Sequence, residues 1–376
     1  MNISNALDQG KGLFSISVIV SVIYCAISTA GIFGNLLVIY VILKERKMRI
    51  LPTNIFILNM AMADLVIMLV GVEEIVHHIL DKGWLLGSVA CKILRYGMTT
   101  CLYVSVLTLI AVCIERYIAI IYPIKAHIWC NKKHTLIVLI TIWIAAILCG
   151  LPTVIFVQAF VPPMSNSKEI TNYSIIRCMR VFSMNRKVHY KILLIVQYVE
   201  FFLYYFIPIL TQIILYTKIY QALFRDIEIN HLQISTRNAF RNRAWDKSFR
   251  EEGKSRFSET ELINVNTIYE EYSSVQNRPA KPQSMLHLRR NTSSINTRKQ
   301  VVKMLIACVS TYFFCYSPIM VPLFYSSIAK SSFHPNQWFH VIIMTLAYSN
   351  SAANPILYSI FSQRFRTKFK HALQCW

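Results

Sequence analysis

Long apolar runs separated by short polar breaks fill most of the chain. Seven of them reach the roughly 20 residues that a helix needs to cross a hydrocarbon core about 30 Å thick. They are Ile16–Leu43, Thr53–Leu80, Ser88–Ile121, Thr135–Gln158, Val188–Phe224, Val301–Ile328 and Gln337–Ile360. The pattern predicts an all-α membrane protein built as a bundle of seven transmembrane helices. Pro152, Pro208, Pro318 and Pro355 fall inside the runs, where a bundle tolerates kinks because neighbouring groups re-satisfy the freed carbonyls. Between the fifth and sixth runs, residues 225–299 turn polar and rich in Ser, Thr, Asn, Arg and Glu, the composition of a disordered loop. After the seventh run, Phe361, Phe365, Phe369 and Leu373 recur at helical spacing among Arg and Lys. This predicts a short amphipathic eighth helix on the membrane surface, within a tail spanning 361–376. No repeat relates the two halves, which weighs against a transporter.

Composition supports the membrane reading: 55% of residues are hydrophobic, 15% are charged, and mean hydropathy is +0.44. A soluble domain carries about 25% charged residues. The net charge of +21, from 39 Lys+Arg against 18 Asp+Glu, admits nucleic-acid binding until the cations are placed. With the N-terminus outside, the inner segments hold Lys44, Arg46, Lys47 and Arg49, then Arg116, Lys125, Lys132 and Lys133. The cations of 225–299 and Arg364, Arg366, Lys368 and Lys370 follow on the same side. The excess of inner cations predicts a multi-pass plasma-membrane protein with residues 1–15 extracellular and the 225–299 loop and tail cytoplasmic. The charge is then topology, and no nucleic-acid partner is expected. The opening residues lack a signal-peptide pattern, so the first run is expected to remain as a helix.

Of ten cysteines, six fall within the runs, and Cys130 and Cys375 face the reducing cytoplasm. That leaves Cys91 and Cys178 on the oxidising side, predicting one disulfide. Cys375 is a candidate for lipidation. On the same side, Asn2-Ile3-Ser4 and Asn172-Tyr173-Ser174 are glycosylation sequons at Asn2 and Asn172, whereas Asn291-Thr292-Ser293 is cytoplasmic.

Polar residues at mid-membrane are costly and therefore functional candidates. Asp64 lies in the middle of the second run; Ser105 lies about 16 Å up the third helix from Arg116. Asn35 is on the first run, and Asn350, Ser351 and Asn354 cluster on the seventh. Such an oxygen-rich set suits an allosteric sodium ion. It equally suits a hydrogen-bonded polar core without an ion. No other cofactor is implied.

Several ordered motifs resemble those of rhodopsin-like (class A) G-protein-coupled receptors. They are Gly34-Asn35, Asn59 to Asp64, Cys91 with Glu115-Arg116-Tyr117, Trp143, Pro208 with Tyr216, and Asn354-Pro355-Ile356-Leu357-Tyr358. Within that class, Glu115 to Cys130, Arg298 to Leu305 and Asn350 to Arg366 are most similar to thyrotropin-releasing hormone receptors and neighbouring neuropeptide receptors. The resemblance implies a receptor, not an enzyme, that binds an extracellular neuropeptide and activates heterotrimeric G proteins, Gq-type by expectation. It implies that Glu115 pairs with Arg116 in the resting state. On activation the sixth helix pivots near Pro318, while Tyr216 and Tyr358 approach Arg116. Ile124, just after Pro123, is implied to dock the G protein. Arrestin is an expected partner, through Thr292, Ser293, Ser294 and Thr297 in the third inner loop, and membrane lipids are another. Two departures stand out: Tyr316 replaces the usual Trp of the sixth helix, and Arg298 replaces an acid that locks to Arg116 in some members.

Ligand class follows mostly by exclusion. Met98 stands where aminergic receptors need Asp, and the seventh run holds no Lys for retinal. The candidate ligand-binding set is Glu74, Arg95, Met98, Thr99, Leu102, Gln197, Glu200, Tyr316, Met344 and Tyr348. Glu74 and Glu200 could receive a cationic group of a peptide; alternatively they pair internally with Arg95, His77 or His78. With roughly fifteen residues ahead of the first run, the ligand is expected inside the bundle, where cavities between helices suit small ligands. A receptor for a lipid or other non-peptide ligand is the alternative. The chain lacks HExxH, GxSxG and paired catalytic carboxylates, so transport or intramembrane catalysis is disfavoured.

Overall fold

The computed structural model describes residues 3–80, 83–160, 176–225, 282–329 and 337–374. Its helices are α1 (Ile3–Lys44), α2 (Arg46–Arg49), α3 (Pro52–Leu80), α4 (Gly87–Ile121), α5 (Pro123–Trp129), α6 (Lys132–Phe156) and α7 (Arg186–Glu200). A π-helical turn, Phe201–Phe206, joins α7 to α8 (207–225). Then come α9 (Pro282–Ala329), α10 (Gln337–Phe361) and α11 (Gln363–Gln374). Among the described residues six helical stretches are long and apolar enough to span a membrane, and α10 has the length of a further crossing. The chain is an all-α membrane bundle.

Helix ends outrun the hydrophobic pattern in two places. Helix α1 starts at Ile3 and α9 at Pro282, because backbone hydrogen bonds continue through polar residues that a hydropathy window does not count. At the end of α6 the reverse holds. The helix stops at Phe156, and Gln158 belongs to strand β1 (Val157–Phe160), paired antiparallel with β2 (Arg177–Arg180) in the register Ala159 opposite Cys178. The Cys91–Cys178 disulfide ties this hairpin to the start of α4. Beneath it Trp84, Cys91 and Val157 form a buried cluster. The Trp84 amide donates to the Ile176 carbonyl at 2.7 Å, and its indole N–H donates to the Gly87 carbonyl at 2.6 Å. Gly87, at φ +77°, supplies the left-handed turn that a side chain would strain.

Residues Met1–Lys218 and Val302–Trp376 form one compact unit, and Ile219–Val301 forms another. In the first, α3 packs on α4, α4 on α6, and α1 on α3 and α10. Asn59 ties three helices by donating to Thr108 Oγ1 at 2.9 Å and accepting from Trp143 Nε1 at 2.8 Å. Gly34 on α1 lets the kinked α10 approach: a Cβ there would sit 2.9 Å from Pro355 Cβ. Helix α11 turns Phe365, Phe369 and Ala372 inward and leaves Leu373 exposed. The expected membrane stripe is thus largely a packing face, with the Phe365 ring 5.7 Å from that of Tyr358. Lys368 Nζ reaches Glu45 Oε1 at 2.6 Å, and this hydrogen bond holds the Glu45 carboxyl below its ordinary pKa. Arg366 caps the end of α10 through the Ser359 and Ile360 carbonyls.

Crowding at Gly34 generates a test. Gly34→Leu should overpack the α1–α10 contact by about 1–3 kcal/mol and lower the thermal midpoint of the purified protein. Gly97→Ala, where a Cβ inside α4 meets nothing within 4 Å, should melt no lower than the wild type, because Ala favours a helix interior over Gly.

Candidate functional site

Three polar constellations run through the bundle. At the hairpin end a cavity of about 240 Å³ opens between α3, α4, the hairpin, α7, α9 and α10. Met98, Leu102, Gln197, Glu200, Tyr316, Met344 and Tyr348, seven of the sequence-derived set, line it. Arg95 and Thr99 lie outside the lining, and the side chain of Glu74 lies outside the described residues. The lining is mostly apolar and sulfur-rich; the Tyr348 hydroxyl points at Met98 Sδ, 3.7 Å away. Among the described residues its charged pair is Arg180–Glu200, with Nη1 to Oε1 at 2.6 Å. Glu200 therefore does pair internally, with a residue of strand β2 that the sequence reading did not single out. A ligand cation at Glu200 thus meets a carboxylate already paired with Arg180.

One helical level deeper sits Asp64, fully buried. Ser105 Oγ and Ser351 Oγ donate to Oδ1 at 3.1 and 3.0 Å, and Asn354 Nδ2 donates to Oδ2 at 2.8 Å. Helices α3, α4 and α10 thus meet on one carboxylate. Asn35 joins the cluster by donating to the Ser351 carbonyl at 3.1 Å. Asn350 is also buried, and its Oδ1 finds no hydrogen-bond partner among the described residues. Among the described residues the donors to Asp64 are all neutral, and no cation pairs with it.

At the opposite end Arg116 Nε donates to Glu115 Oε2 at 2.6 Å. A second guanidinium nitrogen contacts both Glu115 and Thr53 Oγ1. The Thr53 hydroxyl donates to Glu115 Oε2 at 3.1 Å, so α4 is clasped to the first turn of α3. Thr53 was not legible as a partner, because nothing in its own neighbourhood distinguishes it from a helix-start residue. Tyr216 and Tyr358 are buried, and Tyr117 lies edge-on to Tyr122 with ring centroids 6.1 Å apart. On α5 the Ile124 side chain is 84% exposed, with Ile128 and Trp129 also exposed; Pro123 starts that helix. Asn2, Asn172 and Cys375 lie outside the described residues, as do the side chains of Arg298 and of the loop hydroxyls.

Comparison with known proteins places this arrangement. Residues 34–358 match the family described as "7 transmembrane receptor (rhodopsin family)". The chain belongs to that family. Among similar proteins, Neuropeptide receptor 15 of Caenorhabditis elegans is 29% identical over 369 residues, covering 94% of this chain and 89% of the relative. The thyrotropin-releasing hormone receptor of Gallus gallus is 26% identical, covering 92% and 76%. The cholecystokinin receptor type A of Homo sapiens is 27% identical, covering 94% and 80%. The protein is therefore a rhodopsin-family membrane receptor, with its cavity at one end of the bundle and its Glu115–Arg116 pair at the other.

For the receptor, the Thr53 contact predicts a specific cost. Thr53→Val removes a hydroxyl that serves both members of a part-buried ion pair, a loss of about 1 kcal/mol. The thermal midpoint of the purified receptor should fall by a few degrees, and Thr53→Ser should restore it.

Proposed function

We propose that the receptor binds an extracellular neuropeptide in the cavity beneath the hairpin and activates heterotrimeric G proteins, of Gq type, at the Arg116 end. It would lie in the plasma membrane with the hairpin outside. The observation that carries the reading is the alignment of three constellations along one bundle: a cavity under a disulfide-tethered hairpin, a three-helix acid junction, and a closed Arg116–Glu115 pair. Such an arrangement can pass a ligand's preference for one helix packing to the far end, which is what a two-state receptor requires. The names of the relatives, a neuropeptide receptor and a thyrotropin-releasing hormone receptor among them, support the ligand class.

Ile124, exposed on α5, would dock the G protein, and Tyr216 and Tyr358 would receive Arg116 when the pair opens. Arrestin would engage phosphates in the loop that follows α8. At Asp64, the uncancelled charge and the buried Asn350 oxygen fit a sodium ion held by Asp64, Ser105 and Ser351, all oxygen donors. A cationic group on the peptide would compete with Arg180 for Glu200. That same pair favours the second reading, a lipid or other non-peptide ligand, because it leaves the cavity lining electrically balanced.

A calcium-mobilisation screen of cells expressing the receptor against a neuropeptide library decides between these. The proposal expects at least one peptide to give a saturable response that Arg116→Ala abolishes while binding stays measurable. Responses to lipids alone would favour the second reading, and a peptide response that survives Arg116→Ala at matched surface expression would contradict the coupling site.

A further inference from the structure

Strand β2 alternates its side chains between the two faces of the hairpin. Cys178 is turned towards α4 by its disulfide with Cys91, so Arg180, two residues on, points the same way, while Arg177 and Met179 are exposed. The backbone around it is pinned: Arg180 pairs with Val157 across the hairpin, and the Val181 amide donates to the Phe156 carbonyl at 2.7 Å. A guanidinium is thereby delivered to the cavity lining from a fixed strand.

An arginine carries five N–H donors in a planar fork. Among the described residues the hydrogen-bond partner of Arg180 is Glu200, reached through Nη1. Side chains 32% and 24% exposed leave both groups within reach of a molecule in the cavity. A cation at Glu200 shares its carboxylate with Arg180, whereas an anion at Arg180 meets a guanidinium that Glu200 has already oriented. The surrounding charge decides between them. At the hairpin end the described cationic side chains are Lys92, Arg95, Arg177, Arg180, Lys187 and Lys191, against the acids Glu73 and Glu200, and Arg177, Lys187 and Lys191 are exposed. Such an excess of one sign attracts and steers ligands of the opposite charge. The cavity itself, about 240 Å³, is smaller than the roughly 300–1,000 Å³ of sites that enclose a drug-sized ligand, so it holds one group of a longer molecule.

We propose that the cavity selects a ligand bearing an anionic group, a carboxylate or a sulfate, which the guanidinium of Arg180 receives while Glu200 holds that guanidinium in place. The inference rests on the peptide-receptor reading, which makes the ligand an acidic peptide; the anion subsite itself rests on Arg180 and the charge around it. The roles expected for a cationic ligand are then reversed: Arg180 touches the ligand, and Glu200 is a positioning residue that acts through Arg180. Removing each charge has opposite consequences. Without Arg180 the anion loses its charge-assisted contacts and meets the bared Glu200 carboxylate. Without the Glu200 charge the guanidinium keeps its donors and the anion loses a competitor.

The test uses the full-length receptor in lipid nanodiscs and matched probes. Two libraries of short synthetic peptides with amidated C-termini are identical except that every Asp or Glu of one is Asn or Gln in the other; oleate and oleyl alcohol form the same pair for a lipid. Retention is read by affinity selection and mass spectrometry, and thermal midpoints check that each variant is folded. The wild type should hold the retained acidic peptides at least about tenfold more tightly than their amide twins, the loss expected for a charge-assisted contact. Arg180→Gln should erase that preference, the double variant Arg180→Gln/Glu200→Gln should erase it equally, and Glu200→Gln should keep it. The double variant separates a lost receiver from repulsion by an unpaired Glu200, so a preference that returns in it overturns the proposal. Retention of neither acidic probe by the wild type overturns it as well. So does peptide binding that Glu200→Gln weakens and Arg180→Gln leaves intact, an outcome under which the peptide-receptor reading still stands. Preference for oleate over its alcohol, lost in Arg180→Gln, with no peptide retained, upholds the anion subsite and counts against a peptide ligand.

Discussion

A carboxylate in the middle of a bilayer has no water to turn to, and leaving it there costs at least a few kcal/mol. Asp64 meets that cost with three hydrogen bonds, from Ser105, Ser351 and Asn354. Because its donors come from α4 and α10, the acid fixes the relative depth and rotation of three helices. Much of the surrounding architecture conforms to that junction. Gly34 makes room for Pro355, the residue after Asn354, and Asn59 adds a polar tie from α3 to α4 and α6 nearer the Arg116 end. The arrangement is held together by hydrogen bonds that must be satisfied inside the membrane rather than by a hydrophobic drive between helices, which lipid removes.

The same rule explains the two ends. At the hairpin end a disulfide and a buried Trp84 fix a two-stranded lid over a cavity in which Arg180 neutralises Glu200. At the other end Arg116 spends its donors on Glu115 and Thr53, which keeps α4 closed on α3. Between them, Pro208 frees the Tyr204 carbonyl of the fifth membrane helix, and the Tyr312 hydroxyl of α9 donates to it. A bundle with such weakened turns can exist in two packings that differ by a few hydrogen bonds, the property a receptor needs.

The spans, the polar residues around Asp64, the Glu115–Arg116 pair and most of the cavity lining were legible because each is written in one local signal: a long apolar run, a polar residue inside it, or an ordered motif. Arg180 was not. It reaches Glu200 only because β2 folds back under a disulfide, and the twenty residues between the two carry no mark of that pairing. Thr53 and Tyr312 were missed for a related reason. Each serves a group on another helix, and Tyr312 serves a carbonyl that is free only because Pro208 and a π turn disturb the fifth helix. The amphipathic tail was legible in its period, but the contact of its Phe365 ring with Tyr358 at the end of α10 was not, because no local signal joins the two rings.

On the proposed reading, the Asp64 junction couples the cavity to the Arg116 end. That coupling is tested most directly by spin-label distance measurements between α4 and α9 at the Arg116 end, with and without a peptide that activates the wild type, in the wild-type receptor and in Asp64→Asn. The peptide should bind both proteins but separate the helices only in the wild type. An equal peptide-driven separation in Asp64→Asn would contradict it.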